Sequence, residues 1–181
     1  FRSGDLASSA GTTHIALTDI ADFYGRMYHH RLENALNAAT TKTNHVKAIM
    51  GLLAGWNGTE TFGIPIGSAP ARFLAEATLI DVDEALLANQ ISYTRFNDDY
   101  RIAAASYADA YQKLALLADT LYRNHGLSLQ KEKTAIVTKE EFINRYLTTP
   151  VGREMESLRD RFGAIVKALG LSNPYEPIDY Q

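Results

Sequence analysis

The sequence contains no cysteine, five prolines, one tryptophan and no apolar run near the roughly 20 residues that span a bilayer. The missing thiols exclude a disulfide framework, a thiolate zinc site, an iron–sulfur cluster and a cysteine nucleophile, and leave the redox compartment unreadable. Neither a basic segment nor an apolar segment of the secretory kind stands at the N-terminus, so a soluble, cytoplasmic protein with no membrane partner is expected. Excess positive charge is also lacking. A net charge of −3 and a pI near 6.0 exclude a uniformly basic nucleic-acid coat while leaving room for a local basic groove. What remains is 181 residues, 46% hydrophobic and 22% charged, the composition of one ordinary globular domain with at most a short appendage. The chain starts at Phe1 and reaches an apolar segment within about a dozen residues, so it is expected to be a piece of a longer polypeptide.

Residues 1–13 are rich in Ser, Gly, Ala and Thr without periodicity, which predicts a loop. His14–Asp19 is a short apolar run that fits a buried strand. From Tyr24 to Ala38 apolar positions recur at spacings of three and four, predicting one amphipathic helix. Asn44–Trp56 predicts a second, entered at an Asn cap and ended by Asn57-Gly58. Gly63–Pro70 holds two Gly and two Pro in eight residues and reads as irregular; Ala71–Leu87 then predicts a third helix. Ile91–Phe96 and Tyr100–Ser106 flank a polar turn, the signature of a hairpin. Ala108–His125 predicts a long helix closed by Gly126. Leu127–Val137 reads as strand, turn and strand, and helices over Lys139–Leu147 and Arg153–Leu169 follow on either side of Pro150. The pattern predicts an α+β fold, a small and mainly antiparallel sheet with helices on one face. Between Arg123 and Leu169 nine Lys or Arg face six Asp or Glu, after a net acidic stretch. That shift divides the chain into a main domain over 1–137 and a helical C-terminal region over 138–181.

Asp98 and Asp99 are adjacent in the hairpin turn, between Phe96 and Tyr100. Alone, Asn97-Asp98-Asp99 is ordinary turn composition. Asp19 changes the weighing, because it ends the buried strand whose natural neighbour is this hairpin. Three carboxylates converging at strand ends repel one another and raise their pKa values unless a cation sits among them. Magnesium suits such a place, since it takes a few carboxylates and completes its octahedron with water or substrate phosphates. Two such ions can serve an in-line phosphoryl displacement, so the pattern points to nucleotidyl transfer.

Four segments in order then resemble a known family. Thr18–Leu32 (TDIADFYGRMYHHRL) looks like motif A of reverse transcriptases, Phe62–Glu76 (FGIPIGSAPARFLAE) like motif B, Arg95–Ile102 (RFNDDYRI) like the Tyr-x-Asp-Asp hairpin, and Gly126–Val137 (GLSLQKEKTAIV) like motif D. The chain most resembles the bacterial abortive-infection and phage-defence group, whose motif A commonly continues into Tyr-His-His and whose motif B lacks the usual glutamine. The resemblance implies a polymerase palm over 1–137 with fingers missing or truncated, and the helical start of a thumb over 138–181. It also implies RNA-directed, DNA-directed or untemplated DNA synthesis from deoxynucleoside triphosphates on an RNA or DNA template and primer, with two Mg2+ ions, Mn2+ being a substitute. Residue by residue, Asp19, Asp98 and Asp99 match the metal-binding carboxylates, with the Ile20 carbonyl as a further oxygen. Lys133 matches the motif D lysine that protonates pyrophosphate or steadies the triphosphate, and Tyr24 the aromatic gate that excludes a ribose 2′-hydroxyl. Gly67, Arg72 and Phe96 are implied on the substrate side.

The sequence departs from the family in three places. Phe96 replaces the commoner Tyr, Ile66 stands where many relatives have glutamine, and 18 residues precede Asp19 where a full polymerase has fingers. The isolated chain is therefore expected to polymerise poorly, and untemplated synthesis or a non-catalytic palm-like scaffold within an oligomer or with a partner subunit are the competing readings. Other residues invite blander ones. Adjacent His29 and His30 diverge on a helix and are expected to pack or to make polar contacts. Gly63 and Gly67 serve a turn or a close backbone approach, and Asn57-Gly58-Thr59 is a turn despite its sequon form. Trp56 is expected in the core. Arg145, Arg153, Arg159 and Arg161 fit a nucleic-acid groove or a solvated face equally, and Tyr175 or Tyr180 is a remote candidate for protein priming.

Overall fold

β1 (His14–Asp19) is buried at four successive positions, Ile15 to Thr18, which is what a strand covered on both faces requires. The computed structural model, which describes residues 3–148 and residue 161, places β1 inside a four-stranded sheet of order β2-β3-β1-β4. β2 (Tyr93–Phe96) and β3 (Asp99–Ala104) form the expected hairpin, and β4 (Ala135–Thr138) lies on the far side of β1. Every neighbouring pair is antiparallel. The β1–β3 register sets His14 opposite Ala104, Ala16 opposite Ile102 and Thr18 opposite Tyr100. Ala16, Tyr100, Ile102 and Ala104 join the main core cluster. Residues of the other parity, Ile15, Leu17 and Ala103, are also buried. The chain falls into two compact units, Phe1–Lys139 and Glu140–Gln181.

The helices are shorter and more broken than the periodicity predicts. Residues 1–13 are not all loop, for α1 (Ser3–Ser8) carries Asp5 in its first turn and buries Leu6 and Ala7 while contacting β2 and β3. The helix expected over Tyr24–Ala38 is two, α2 (Phe23–Arg26) and α3 (His29–Ala39). Between them Met27 is extended and Tyr28 pairs with Phe62, while the Gly63 amide donates to the Met27 carbonyl at 2.9 Å. Those long-range bonds outcompete the helical ones. α4 (Thr43–Asn57) follows, entered at Lys42 without a side-chain cap rather than at the expected Asn44, and Trp56 is 74% exposed rather than in the core, because the buried stripe of that helix runs through Val46 and Leu53. The third helix is also split. α5 (Ala69–Thr78), capped by Ser68 with Pro70 in its first turn, gives way at Leu79 to α6 (Ile80–Ala88). At the break the Thr78 hydroxyl donates to the Leu74 carbonyl at 2.9 Å, a bond that bends helices.

α7 (Tyr107–His125) is the longest helix, capped by Ser106 and closed by Gly126 with φ 65°. Its buried stripe of Ala110, Leu114, Leu117 and Leu121 belongs to the same core cluster as the sheet residues. Leu127–Val137 holds one strand rather than two: Leu129 makes an isolated bridge to Ile20, Lys131–Lys133 form a 3-10 turn, and β4 follows. In the last described part α8 (Lys139–Phe142) runs into a π-helical turn over Ile143–Leu147. The predicted helix Arg153–Leu169, with Arg153 and Arg159, lies outside the described residues, as do Tyr175 and Tyr180. No helix among the described residues is long and apolar enough to cross a membrane.

Candidate active site

The register that aligns the core also aligns the acids. Asp19, the last residue of β1, stands opposite Asp99, the first of β3. Directly opposite residues on one face bring their Cβ atoms to about 4.5–5.5 Å. Asp98 precedes Asp99 in a two-residue turn whose first member, Asn97, has the left-handed φ of 53°. The Asp98 carbonyl accepts from the Ile20 amide at 3.0 Å, which ties the turn to the end of β1. In extended chain the carbonyl of a residue emerges on the same side as its amide, so the Ile20 carbonyl also faces the hairpin.

Motif D residues close the other side. The Gln130 amide donates to the Asp19 carbonyl at 2.7 Å, and the 3-10 turn that follows carries Lys133, whose Nζ reaches Asp19 Oδ2 at 3.0 Å. The Thr18 and Thr134 hydroxyls meet at 2.7 Å and lock this turn to β1. Asp99 takes Arg101 at 3.5 Å. Burial raises the Asp98 carboxyl above the ordinary carboxylate range, the charge of Asp19 adding to it and Lys133 opposing. Burial also raises Asp99, with Arg101 opposing and Asp19 adding. The Lys133 ammonium is held above its usual value by the hydrogen bond to Asp19 and by the surrounding acids.

The expected substrate-side residues fall into two sets. The half-buried Tyr24 feels Asp98, Arg72 and Glu76: burial first, then Asp98, raises its hydroxyl, while Arg72 lowers it. Arg72 and Phe96 are exposed. Gly67 has φ 102° with open space where a side chain would stand, and Ile66 beside it is 80% exposed. Gly63 has φ 92°, the left-handed region that favours glycine, so it serves the turn; a Cβ there would meet the Gly25 carbonyl only at an ordinary contact distance of 3.5 Å. His29 is buried and its Nε2 lies 2.8 Å from the Gly63 carbonyl, which also accepts from the Asn57 amide group at 2.7 Å. That polar contact is the role expected of His29, whereas His30 is exposed. Asn57, the sequon residue, spends its amide on holding the loop. Arg145 is exposed and 3.7 Å from Glu141, and Arg161 is exposed.

Sequence reasoning missed a set of residues behind the turn. Arg95 forks onto Asp83, bonds Glu76 Oε2 at 2.7 Å and reaches the Asn97 carbonyl at 3.1 Å. Its side chain is 7% exposed. The one available signal was an arginine in an otherwise neutral strand, with acids seven residues apart on the preceding helices.

Among the described residues, no three His, Asp or Glu side chains are drawn together tightly enough to hold an ion unaided. Asp19 and Asp99 are cross-strand neighbours, but Lys133 and Arg101 sit on their oxygens. The donor set still fits magnesium, being all hard oxygens, and magnesium needs only one or two protein carboxylates when a triphosphate supplies the rest. An antiparallel sheet with an acidic strand end facing an acidic hairpin, flanked by a lysine turn, defines a polymerase palm. The family model for reverse transcriptase (RNA-dependent DNA polymerase) matches residues 1–158, and the chain belongs to that family. Among 44 solved chains that it matches is apo telomerase from Candida tropicalis, truncated from its C-terminal domain, with 12% identity and a TM-score of 0.53. The match covers 75% of this chain and 33% of telomerase, so the chain spans about a third of that protein's length and the likeness is one of fold. No curated protein matches it.

Proposed function

We propose that this chain carries the nucleotidyl-transfer centre of a reverse-transcriptase-type DNA polymerase, adding deoxynucleotides to a 3′-hydroxyl. The observation that carries the reading is the pairing of Asp19 with Asp99 across β1 and β3, with Asp98 in the adjoining turn. In this reading Asp19, Asp98, Asp99 and the Ile20 carbonyl hold divalent metal. When bound, magnesium supplies charge that stabilises the attacking and leaving oxygens of the displacement. Lys133 stands on the phosphate side, where its ammonium can leave Asp19 for the triphosphate and protonate the departing pyrophosphate. Tyr24 presents its ring beside the acids and excludes a ribose 2′-hydroxyl, while Arg72, Gly67 and Phe96 border the nucleotide and the base pair.

The partners are deoxynucleoside triphosphates and an RNA or DNA template and primer, and the setting is cytoplasmic antiviral defence. Residues 1–137 act as palm and 138–181 begin the thumb. The exposed, apolar Ile66 supports a second reading, because no amide is there to hold a template base: synthesis without template. Both readings share the acids.

The test is incorporation of labelled deoxynucleotide by the chain in its full-length protein, with magnesium, with and without added RNA. Asp98→Ala abolishes incorporation if the reading holds, and activity that survives this change refutes it. Homopolymer made from a single nucleotide without template selects the second reading, and strict dependence on RNA removes it.

A further inference from the structure

Charged groups are costly to bury, and an arginine on the edge strand of a small sheet whose side chain is only 7% exposed needs a reason. Arg95 on β2 spends its guanidinium on three partners. Nε donates to Asp83 Oδ1 at 3.0 Å and Nη2 to Asp83 Oδ2, the fork geometry particular to arginine. Nη1 reaches Glu76 Oε2 at 2.7 Å and the Asn97 carbonyl at 3.1 Å. Glu76 in turn accepts the Asn97 amide on Oε1 at 2.8 Å. Both backbone polar groups of Asn97 are thereby taken by side chains of one ion-paired set, drawn from α5 and β2. The Tyr93 hydroxyl donates to Asp83 Oδ1 at 2.8 Å and fixes that carboxylate from the strand side. Arg95 also lies over the Tyr100 ring at 5.8 Å.

The held residue sits at the tip of the turn. Asn97 adopts a left-handed φ of 53°, a conformation asparagine tolerates, and in it both of its backbone polar groups are taken by Arg95 and Glu76. Asp98 is next in the chain, and its orientation follows from the peptide that Asn97 sets. A well-packed apolar set would stabilise the hairpin as well or better, so the retained charges point to geometry rather than stability.

We propose that Arg95, Glu76 and Asp83 form a clamp that fixes the hairpin turn, and are positioning residues for Asp98 and Asp99. The proposal rests on the reading of these two aspartates as metal-holding groups. Supporting partners around a metal site typically change affinity by roughly 10–100-fold when removed.

The test uses the full chain with Mn2+ as probe, its affinity read from paramagnetic relaxation of water, and amide hydrogen exchange at Asn97 in the metal-free protein. Arg95→Lys keeps a charge but cannot engage Asp83, Glu76 and the Asn97 carbonyl together. It is expected to speed Asn97 exchange, relative to the Leu117 amide, and to weaken Mn2+ binding by about tenfold, the lower end of that range. Glu76→Gln, a milder change for use should Arg95→Lys not fold, shifts both in the same direction. Leu121→Ala in α7 destabilises the core without touching the clamp, so it speeds Leu117 exchange, moves the ratio opposite to Arg95→Lys and leaves the Mn2+ affinity as it was. Unchanged Asn97 exchange in Arg95→Lys overturns the clamp. Faster exchange with wild-type Mn2+ affinity overturns the positioning role. A wild-type chain that binds no Mn2+ refutes the metal reading instead, and the exchange arm still decides whether the clamp exists.

Discussion

Asp98 is the residue where function and stability oppose each other. Burial and the charge of Asp19 raise its carboxyl above the unfolded value, so the folded chain holds the proton more tightly than the unfolded one. The stabilisation this gives is present below the unfolded pKa and is lost as pH rises through the folded one. At neutral pH the ionised form is a burden that only a cation relieves. Asp98→Asn is therefore expected to raise the melting temperature of the metal-free chain at pH 7, by an amount that solvent screening of this partly exposed group keeps small. The gain vanishes near pH 3, where wild type is also neutral. Thermal unfolding followed by circular dichroism at the two pH values checks it, and an equal shift at both would show that the charge is not the cause. Lys133 explains why the burden is tolerable without metal, because its ammonium already stands 3.0 Å from Asp19.

The start of α7 shows the opposite sign. Ser106 Oγ accepts the Asp109 amide at 3.1 Å, and Asp109 Oδ2 accepts the Ala105 amide at 2.8 Å, a reciprocal cap of the helix. The hydrogen bond from Lys113 is the first cause that lowers the Asp109 pKa, burial opposes it, and the Ala105 amide adds. A lowered folded pKa means stability present above the unfolded value and lost as pH falls through the folded one. Asp109→Asn is expected to cost within the roughly 0.3–1 kcal/mol a carboxylate contributes at a helix N-terminus, and to lose that deficit as pH falls through the lowered folded pKa. Denaturant melts at pH 6 and pH 2.5 measure it; a deficit that persists in acid would assign it to shape instead of charge. The Gly126 stop and the acidic hairpin were legible in the sequence because each is encoded within a few residues, whereas Ser106 reads there as the end of a strand and not as the cap it is. The breaks at Met27 and Leu79 were not legible, since they depend on the Tyr28–Phe62 bridge and the Thr78 back-bond, one long-range and one a rotamer choice. Trp56 misled for a related reason: an apolar residue at the end of an amphipathic helix need not lie on the stripe that the neighbouring helices cover.

Across the whole molecule, the sheet carries its buried residues along its length and its acids at one end, so the same register that builds the core delivers Asp19 to Asp99. The motifs made that legible, whereas the Arg95 clamp was not, because its partners come from α5, α6 and β2 and meet only once the layers are packed. Metal binding should then appear as folding stability. A ligand that binds only the folded chain stabilises by RT ln(1 + [L]/Kd), about 2.7 kcal/mol at a concentration of 100 Kd. At pH 7.5 magnesium is expected to raise the melting temperature in wild type and to leave Asp19→Ala unmoved, with sodium at matched ionic strength as the control for screening. Lys133→Met sharpens the contrast: with the ammonium gone, Asp19 loses its resident counter-charge, so the metal-free melting temperature falls and the magnesium-induced rise grows. A scaffold that has kept the palm shape without its chemistry would melt at one temperature whatever the magnesium concentration, in wild type and in both variants.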